Sequence, residues 1–384
     1  MTARRIIVKI GSSLLASGGN KLNTAYIGRL SAQIAAQRQA GLEVVLVSSG
    51  AVVAGMQRLG WQKRPRTRAD LQVAAAIGQM RLMNAYEDAF SRRGLHAAQV
   101  LLTAEEMAHR TLYLNARATL RRLLVGDFIP VINENDVVAT DTASFGDNDR
   151  LAALIANLLE ADCLLMLTDA PGLCRDSARS DVIYSADAGD DDLLRYVVED
   201  GGASRGLGGM QSKLAAAKIA ARSGANSLII DGRARMAIAR AIARINDNDN
   251  GGKKDDNKKT AGRNFGTLLA AGAQPLSARK RWLASGLRVR GTMYLDAGAV
   301  RAVVRDKRSL LPAGVRRVRG DFVRGDSVAF ADDDGGAVVG YGLTNYDAAA
   351  ARALCGVKSG EIEKVLGYAY EEEMAHRDNM TVLE

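Results

Sequence analysis

Between Pro130 and Arg150 the sequence reads PVINENDVVATDTASFGDNDR. Five carboxylates (Glu134, Asp136, Asp141, Asp147, Asp149) and three amides (Asn133, Asn135, Asn148) follow the apolar run 128–132. Such a cluster can accept a cationic group, or serve as Asx turns and helix caps. Four other junctions carry polar or small residues. In VKIGSSLL, Lys9 sits in an apolar run ahead of Gly11, Ser12 and Ser13. A lysine in such a strand is costly to bury without an anion, unless the strand end is exposed. In VVLVSSGAV, the small residues Ser48, Ser49, Gly50 and Ala51 let backbone amides approach a carboxylate or phosphate. LLMLTDAPGL places Thr168 and Asp169 at a third such lip. GLGGMQSK (206–213) precedes a helical pattern, so it is either a flexible turn or a loop whose amides suit an anion at a helix N-terminus, with Lys213 in the first turns. The phosphate signatures GxxxxGK[ST] and GxGxxG are absent, and His96, His109 and His376 are too scattered to suggest a catalytic group.

The elements that must position these residues alternate along the first 245 positions. Strands are expected at 5–10, 43–47, 97–102, 128–133, 163–167 and 227–230, from their short, mostly apolar runs. Amphipathic helices are expected at Tyr26–Gln39, Ala69–Arg92, Arg150–Leu159 and Met210–Arg222. Thr103 and Glu106 have capping-box spacing, and Asn148 or Asp149 is placed to cap the helix that follows. Apolar strands alternating with helices imply an α/β fold with a mostly parallel sheet buried on both faces. Ligands gather at the carboxyl ends of such strands, where most of the polar junctions lie. The stretch NDNDNGGKKDDNKK (246–259) is too polar to pack and is expected to be a mobile surface loop. From about Gly286, short β-rich segments separated by Gly and Asp turns suggest a small β-rich barrel domain. The expected domains are therefore 1–280 and 286–384.

The formal charge is +9, but residues 286–384 are about neutral, so the excess lies in the first domain and suits a polyanionic substrate. Three dispersed cysteines argue against disulfides and a zinc site and fit a reducing cytoplasm. The N-terminal apolar run is too short for a signal peptide, and the lack of an 18-residue apolar run predicts no membrane span.

Taken in order, VKIGSSLL, SSGAV, AAAIGQMRL, LLTAEEM, PVINENDVV, FGDND, LTDAPGL, GGMQSK and RKRW resemble the glutamate 5-kinase (gamma-glutamyl kinase) family of the amino-acid-kinase superfamily. SLLPAGV, FVRGDSV, SGEIEKVLGY and HRDNM resemble the C-terminal PUA domain of that family. The sequence differs from the family pattern at Leu207, Cys174 and the insertion 246–259.

The resemblance implies a three-layer α/β sandwich with a small β-rich PUA barrel, and ATP-dependent phosphorylation of the L-glutamate γ-carboxylate with Mg²⁺. It assigns Lys9 and Lys213 to charge neutralisation at the phosphoryl group, with Asp149 orienting them. It assigns Asp136 and Asn148 to the substrate's amino-acid head, and Ser49, Gly50 and Ala51 to a substrate carboxylate. Lys9, Gly11, Ser12, Thr168, Asp169, Gly208, Gly209, Met210 and Lys213 fall to ATP, and Asp147 shares Asp149's work or sits near the metal. It further implies a cytoplasmic homo-oligomer inhibited by proline and working with glutamate-5-semialdehyde dehydrogenase. Two other readings stand beside it. Another superfamily member, acting on N-acetylglutamate or aspartate, would share the lysines, and N-acetylglutamate, with no free ammonium group, would leave Asp136 without a cationic target. RNA binding would draw on eight basic residues against two acidic ones in 301–324, although the domain's neutrality disfavours RNA as the main partner.

Overall fold

In chain order the first unit runs β1 (Arg5–Ile10), α1 (Ser12–Leu15), a hairpin of β2 (Ala16–Ser17) and β3 (Lys21–Leu22), α2 (Thr24–Gln39), β4 (Glu43–Ser48), α3 (Ala51–Leu59), α4 (Arg68–Ser91) and β5 (His96–Leu102). It continues with α5 (Arg110–Val125), β6 (Phe128–Glu134), α6 (Asn148–Leu159), β7 (Cys163–Thr168), β8 (Ser185–Asp187), α7 (Met210–Ala221), β9 (Asn226–Asp231), α8 (Ala237–Asp249) and β10 (Thr267–Ala270). The computed structural model describes residues 3–17, 21–108, 110–139, 148–176, 178–197, 209–249, 264–272 and 289–383. It divides into Met1–Pro275 and Leu276–Glu384.

Eight strands form one sheet in the order β5-β6-β4-β1-β7-β9-β10-β8. The six strands read from the sequence pair in parallel, while β10 runs antiparallel to β9. Side chains alternate across β1 with the pleat. Ile6, Val8 and Ile10 enter the core shared with α2, α4 and α8. Ile7 and Lys9 face the other side, where α6 packs on β1. Ile6, Ile7, Val8 and Ile10 are fully buried, each worth about 1.5–3 kcal/mol of apolar burial. Asn23 caps α2 by accepting from the Tyr26 amide, and Thr67 caps α4 by accepting from the Asp70 amide. The Thr103–Glu106 capping box forms in both directions. α3 and α4 touch backbone to backbone: a Cβ on Gly78 would lie 1.8 Å from the Ala51 carbonyl, and one on Gly55 would lie 1.8 Å from that of Ala74.

The polar stretch 246–259 is not wholly a loop. α8 continues to Asp249, and the Asn246 side chain accepts a bond from the Ala3 amide (3.0 Å). A polar helix end can be held by one tertiary hydrogen bond without burying apolar surface, which a composition argument misses. Residues 250–259 lie outside the described ones.

The second unit contains a five-stranded sheet in the order β12-β11-β13-β14-β15, built from β11 (Gly291–Leu295), β12 (Val315–Gly320), β13 (Ser327–Asp332), β14 (Val338–Leu343) and β15 (Met380–Val382). Its own core includes Met293, Phe330, Tyr346 and Leu354. The basic run is partly paired within this unit: Arg317 stacks on Tyr294 and bonds Asp333 (2.6 Å), and Arg316 pairs with Asp296 (3.2 Å). Those arginines are less available to a polyanion than their count suggests.

Candidate active site

Parallel register gathers the polar junctions at one sheet edge. Ile10 lies opposite Ser48 and Leu167, Val47 opposite Ile132, and Thr168 opposite Asp231. Each strand therefore ends at the same level, and the residues after Ile10, Ser48, Ile132 and Leu167 share the carboxyl edge of the sheet.

On the α6 side of that edge, Lys9 Nζ lies 2.6 Å from Asp149 Oδ1, and Lys213 Nζ lies 3.2 Å from Asp149 Oδ2. Lys9 is 3% exposed, Lys213 4% and Asp149 0%. Lys9 comes from mid-sheet, Asp149 from the first turn of α6 and Lys213 from the first turns of α7, so three elements must fold before the triad exists. Burial alone would raise the Asp149 carboxyl, but Lys9 and Lys213 outweigh it and hold it below the ordinary aspartate range. The triad itself carries one negative charge against two positive ones, which suits an approaching phosphoryl group. Ser212 Oγ also meets Asp149 Oδ2 (2.7 Å).

Asn148 does not cap α6. Its Nδ2 faces the Ser48 carbonyl (3.2 Å), Ser49 Oγ (3.1 Å) and Asn133 Oδ1 (2.9 Å), and its Oδ1 accepts from the Glu134 amide (3.3 Å). It ties β4 to β6 and aims the Ser49 hydroxyl. Gly50 has φ +108°, a left-handed conformation that glycine adopts without strain, and it turns the chain into α3 at Ala51. The Gly50 and Ala51 amides thus stand at a helix N-terminus, where an anion is favoured.

Asp136 lies in the turn after β6, 7% exposed, and its Oδ1 is buried without a hydrogen-bond partner. Burial pushes its carboxyl up to about 6, against a smaller opposing pull from Arg64. It borders a cleft of about 380 Å³ between α4, β5 and the 134–137 segment. An orphaned buried carboxylate oxygen at a cleft is a ready acceptor for a cation. It also costs stability with a definite sign. The folded value lies above the unfolded one of about 3.9, so stability falls as pH rises from about 4 through about 6. Asp136→Asn should therefore melt higher than the wild type above pH 7, with the gain vanishing near pH 4. Melts showing the same difference at every pH would contradict this.

At the opposite lip, the Thr168 hydroxyl donates to Asp169 Oδ1 (3.3 Å), the Gly232 amide donates to the Thr168 carbonyl, and Arg233 donates to the Asp169 carbonyl (2.6 Å). The Gly11 amide is engaged by the Leu167 carbonyl (3.3 Å), leaving Ser12 at the start of α1. Gly209 precedes α7 in extended conformation and Met210 opens that helix. Gly208, Asp147 and Asp141 lie outside the described residues. Among the described residues no group of three or more His, Cys, Asp or Glu could hold a metal ion.

Sequence reasoning missed Ser212, Gln79 and Tyr86. Gln79 Oε1 accepts from Asn133 Nδ2 (2.8 Å), and Ser48 Oγ bonds the Tyr86 hydroxyl (2.8 Å). Ser212 had a usable signal, since it sits one residue before Lys213 and shares its turn. Gln79 lies in AAAIGQMRL, which contributes to the resemblance but gives Gln79 no role, and Tyr86 carries no local mark of a site.

The sequence profile of the Amino acid kinase family matches residues 4–231, and that of the PUA domain matches residues 291–366. Glutamate 5-kinase of Ectopseudomonas mendocina (strain ymp) is 48% identical over 385 aligned positions, covering 99% of this chain and 98% of that protein. Glutamate 5-kinase of Pseudomonas putida (strain KT2440) is 48% identical with the same coverage. Glutamate 5-kinase of Pseudomonas savastanoi pv. phaseolicola is 47% identical, covering 99% of each chain. A solved UMP kinase from Bacillus anthracis superposes with a TM-score of 0.47 at 13% identity, covering 71% of this chain and 98% of that one, a likeness too slight to bear on substrate.

Proposed function

The chain belongs to the amino acid kinase family and, within it, to the glutamate 5-kinases, and from that premise we propose that it transfers the γ-phosphoryl group of ATP to the γ-carboxylate of L-glutamate. The observation that carries the assignment of roles is the pairing of two buried features: the Lys9–Asp149–Lys213 triad and the orphaned carboxylate of Asp136.

The nucleophile needs no general base, because a γ-carboxylate with a reference pKa of about 4.3 is already ionised at neutral pH. One of its oxygens bonds the γ-phosphorus, the bridging oxygen leaves with ADP, and an acyl phosphate remains. The obstacle is repulsion between two anions, so the work is positioning and charge neutralisation. Lys9 and Lys213 supply the positive charge, and Asp149 holds both ammonium groups in place. Ser49 and the Gly50 and Ala51 amides hold a substrate carboxylate. Asp136 accepts the α-ammonium group on the side away from the lysines, and Asn148 orients Ser49. Thr168, Asp169, Gly209 and Met210 border the nucleotide. Mg²⁺ fits this site as an ion carried by the nucleotide phosphates, where it would offset their charge. The carboxylate nearest the lysines, Asp149, is already bonded by them and by Ser212, and Mg²⁺ commonly binds through substrate phosphates and water. The product is a reactive acyl phosphate, which suits a reductase such as glutamate-5-semialdehyde dehydrogenase as the next enzyme.

Asp136→Asn tests the head-group assignment. Glutamate affinity should fall about tenfold or more, the scale of a lost charge-assisted bond, while ATP affinity stays close to wild type. Loss of ATP affinity with glutamate affinity intact would put Asp136 in the wrong half of the site.

The second unit is proposed to stand outside the chemistry, since every assigned group lies between Lys9 and Lys213. A chain ending near Lys280, just past the division at Pro275, should phosphorylate glutamate at a rate within a few-fold of the full chain. A folded, monodisperse truncation that binds both substrates without turnover would place a needed group beyond Lys280.

A further inference from the structure

The directions of the hydrogen bonds between α6, β6 and α4 end on an unused donor. The Glu134 backbone N–H, which can only donate, reaches Asn133 Oδ1 (2.9 Å). That fixes the Asn133 amide, so its Nδ2 is the atom that meets Gln79 Oε1 at 2.8 Å. Gln79 Nε2 must then point away from Asn133. It is buried and has no hydrogen-bond partner. Gln79 lines the same cleft as Asp136, whose Oδ1 is also buried and unpartnered. A buried donor and a buried acceptor left open on one cleft are costly to the free protein and complementary to a ligand presenting both an acceptor and a donor.

Packing sets Gln79 beside the substrate loop. The preceding residue, Gly78, lies against the Ala51 carbonyl, and Leu82, one turn on, packs against Gly50. This turn of α4 therefore rests on the Ser49–Ala51 loop. Two turns earlier, on the same face of α4 as Gln79, Gln72 bonds the Asp136 and Val137 carbonyls (3.1 Å each), holding α4 to the turn that carries Asp136.

We propose that Gln79 is a specificity-determining residue whose Nε2 donates to the α-carboxylate of the acceptor substrate, so that Gln79 and Asp136 together read the zwitterionic head of an α-amino acid. The inference rests on the assignment of the α-ammonium group to Asp136. The α-carboxylate shares a carbon with that ammonium group and so lies beside it, whereas the γ-carboxylate must reach the lysine triad. Ordinary amide chemistry supplies the donor, and no charge is needed at Gln79.

The test compares binding of L-glutamate with binding of its α-carboxamide, which keeps the ammonium group and the γ-carboxylate. Dissociation constants are measured by calorimetry on the full chain. The wild type should favour glutamate. Gln79→Glu keeps an oxygen facing Asn133 but replaces the open donor with a carboxylate oxygen. It should weaken glutamate about 10²-fold while sparing the carboxamide, which can donate to it. Gln79→Met, a second variant of similar volume, should shrink the preference for glutamate about tenfold or more. Equal losses on both ligands, an unchanged preference in a variant that melts like the wild type, or a wild type that binds both alike would overturn the proposal. Asp136→Asn separates the underlying reading from this one. It should weaken both ligands equally, and if it weakens neither, the ammonium assignment fails whatever Gln79 does.

Discussion

Lys9→Ala and Lys213→Ala should each lower turnover on the order of 10²-fold or more, with smaller effects on glutamate affinity. The expectation follows from where the charges sit. Both ammonium groups are buried on a single carboxylate, 2.6 Å and 3.2 Å from its oxygens. A buried cation loses much of its hydration and interacts strongly with charge that develops nearby. Removing either lysine takes away one positive charge where two anions must meet. It also restores a one-to-one pairing between Asp149 and the remaining lysine, which lowers the field offered to the phosphoryl group. Steady-state rates with both substrates saturating separate this from a binding defect. Near wild-type turnover in either variant would remove that lysine from the mechanism.

Asp149→Asn should cost both turnover and stability, and it is the variant that distinguishes a positioning carboxylate from a passive one. Its two lysine partners would remain buried without their counter-charge. Removing one partner of a buried ion pair typically costs about 3–5 kcal/mol. Turnover should fall about 10²-fold or more, because neither ammonium group is held at its working position. The pH dependence has a fixed sign. The folded carboxyl titrates below the unfolded value of about 3.9. Its stabilising contribution is therefore complete above that value and is lost as pH falls through the lower, folded one. The wild type should lose this contribution on acidification, while the variant, already lacking it, shows a shallower acid limb. A variant with wild-type turnover and an unchanged acid limb would show that the triad is incidental.

Much of this was legible in residues that carry their own local signal. A lysine within RIIVKI needed either an exposed strand end or an anion, and it is buried on Asp149. The short apolar runs predicted six strands, and parallel register then placed their polar ends together without further information. Thr103 and Glu106 announced their capping box through spacing alone. What stayed hidden depends on contacts between distant segments. Asn148 looked like a helix cap, yet its amide reaches back about a hundred residues to Ser48 and Ser49 instead. Gln79 is one polar residue among many on an amphipathic helix, and only the bond from Asn133 gives its free amide a direction. β8 and β10 are short, and β10 joins antiparallel, so neither shows the long apolar run of a central parallel strand. The end of α8 was read as loop because its composition is polar, although one tertiary bond at Asn246 holds its last turns.

The most direct measurement is turnover by the purified full chain with ATP and Mg²⁺, offered L-glutamate, N-acetylglutamate, aspartate, carbamate and UMP in parallel. ADP release is followed, and acyl phosphate is trapped with hydroxylamine. Glutamate should be turned over far faster than the others, with a trapped product equal to the ADP released. N-acetylglutamate has the same two carboxylates but no ammonium group for Asp136, so it should be poor. Turnover of N-acetylglutamate equal to or above that of glutamate would contradict the account.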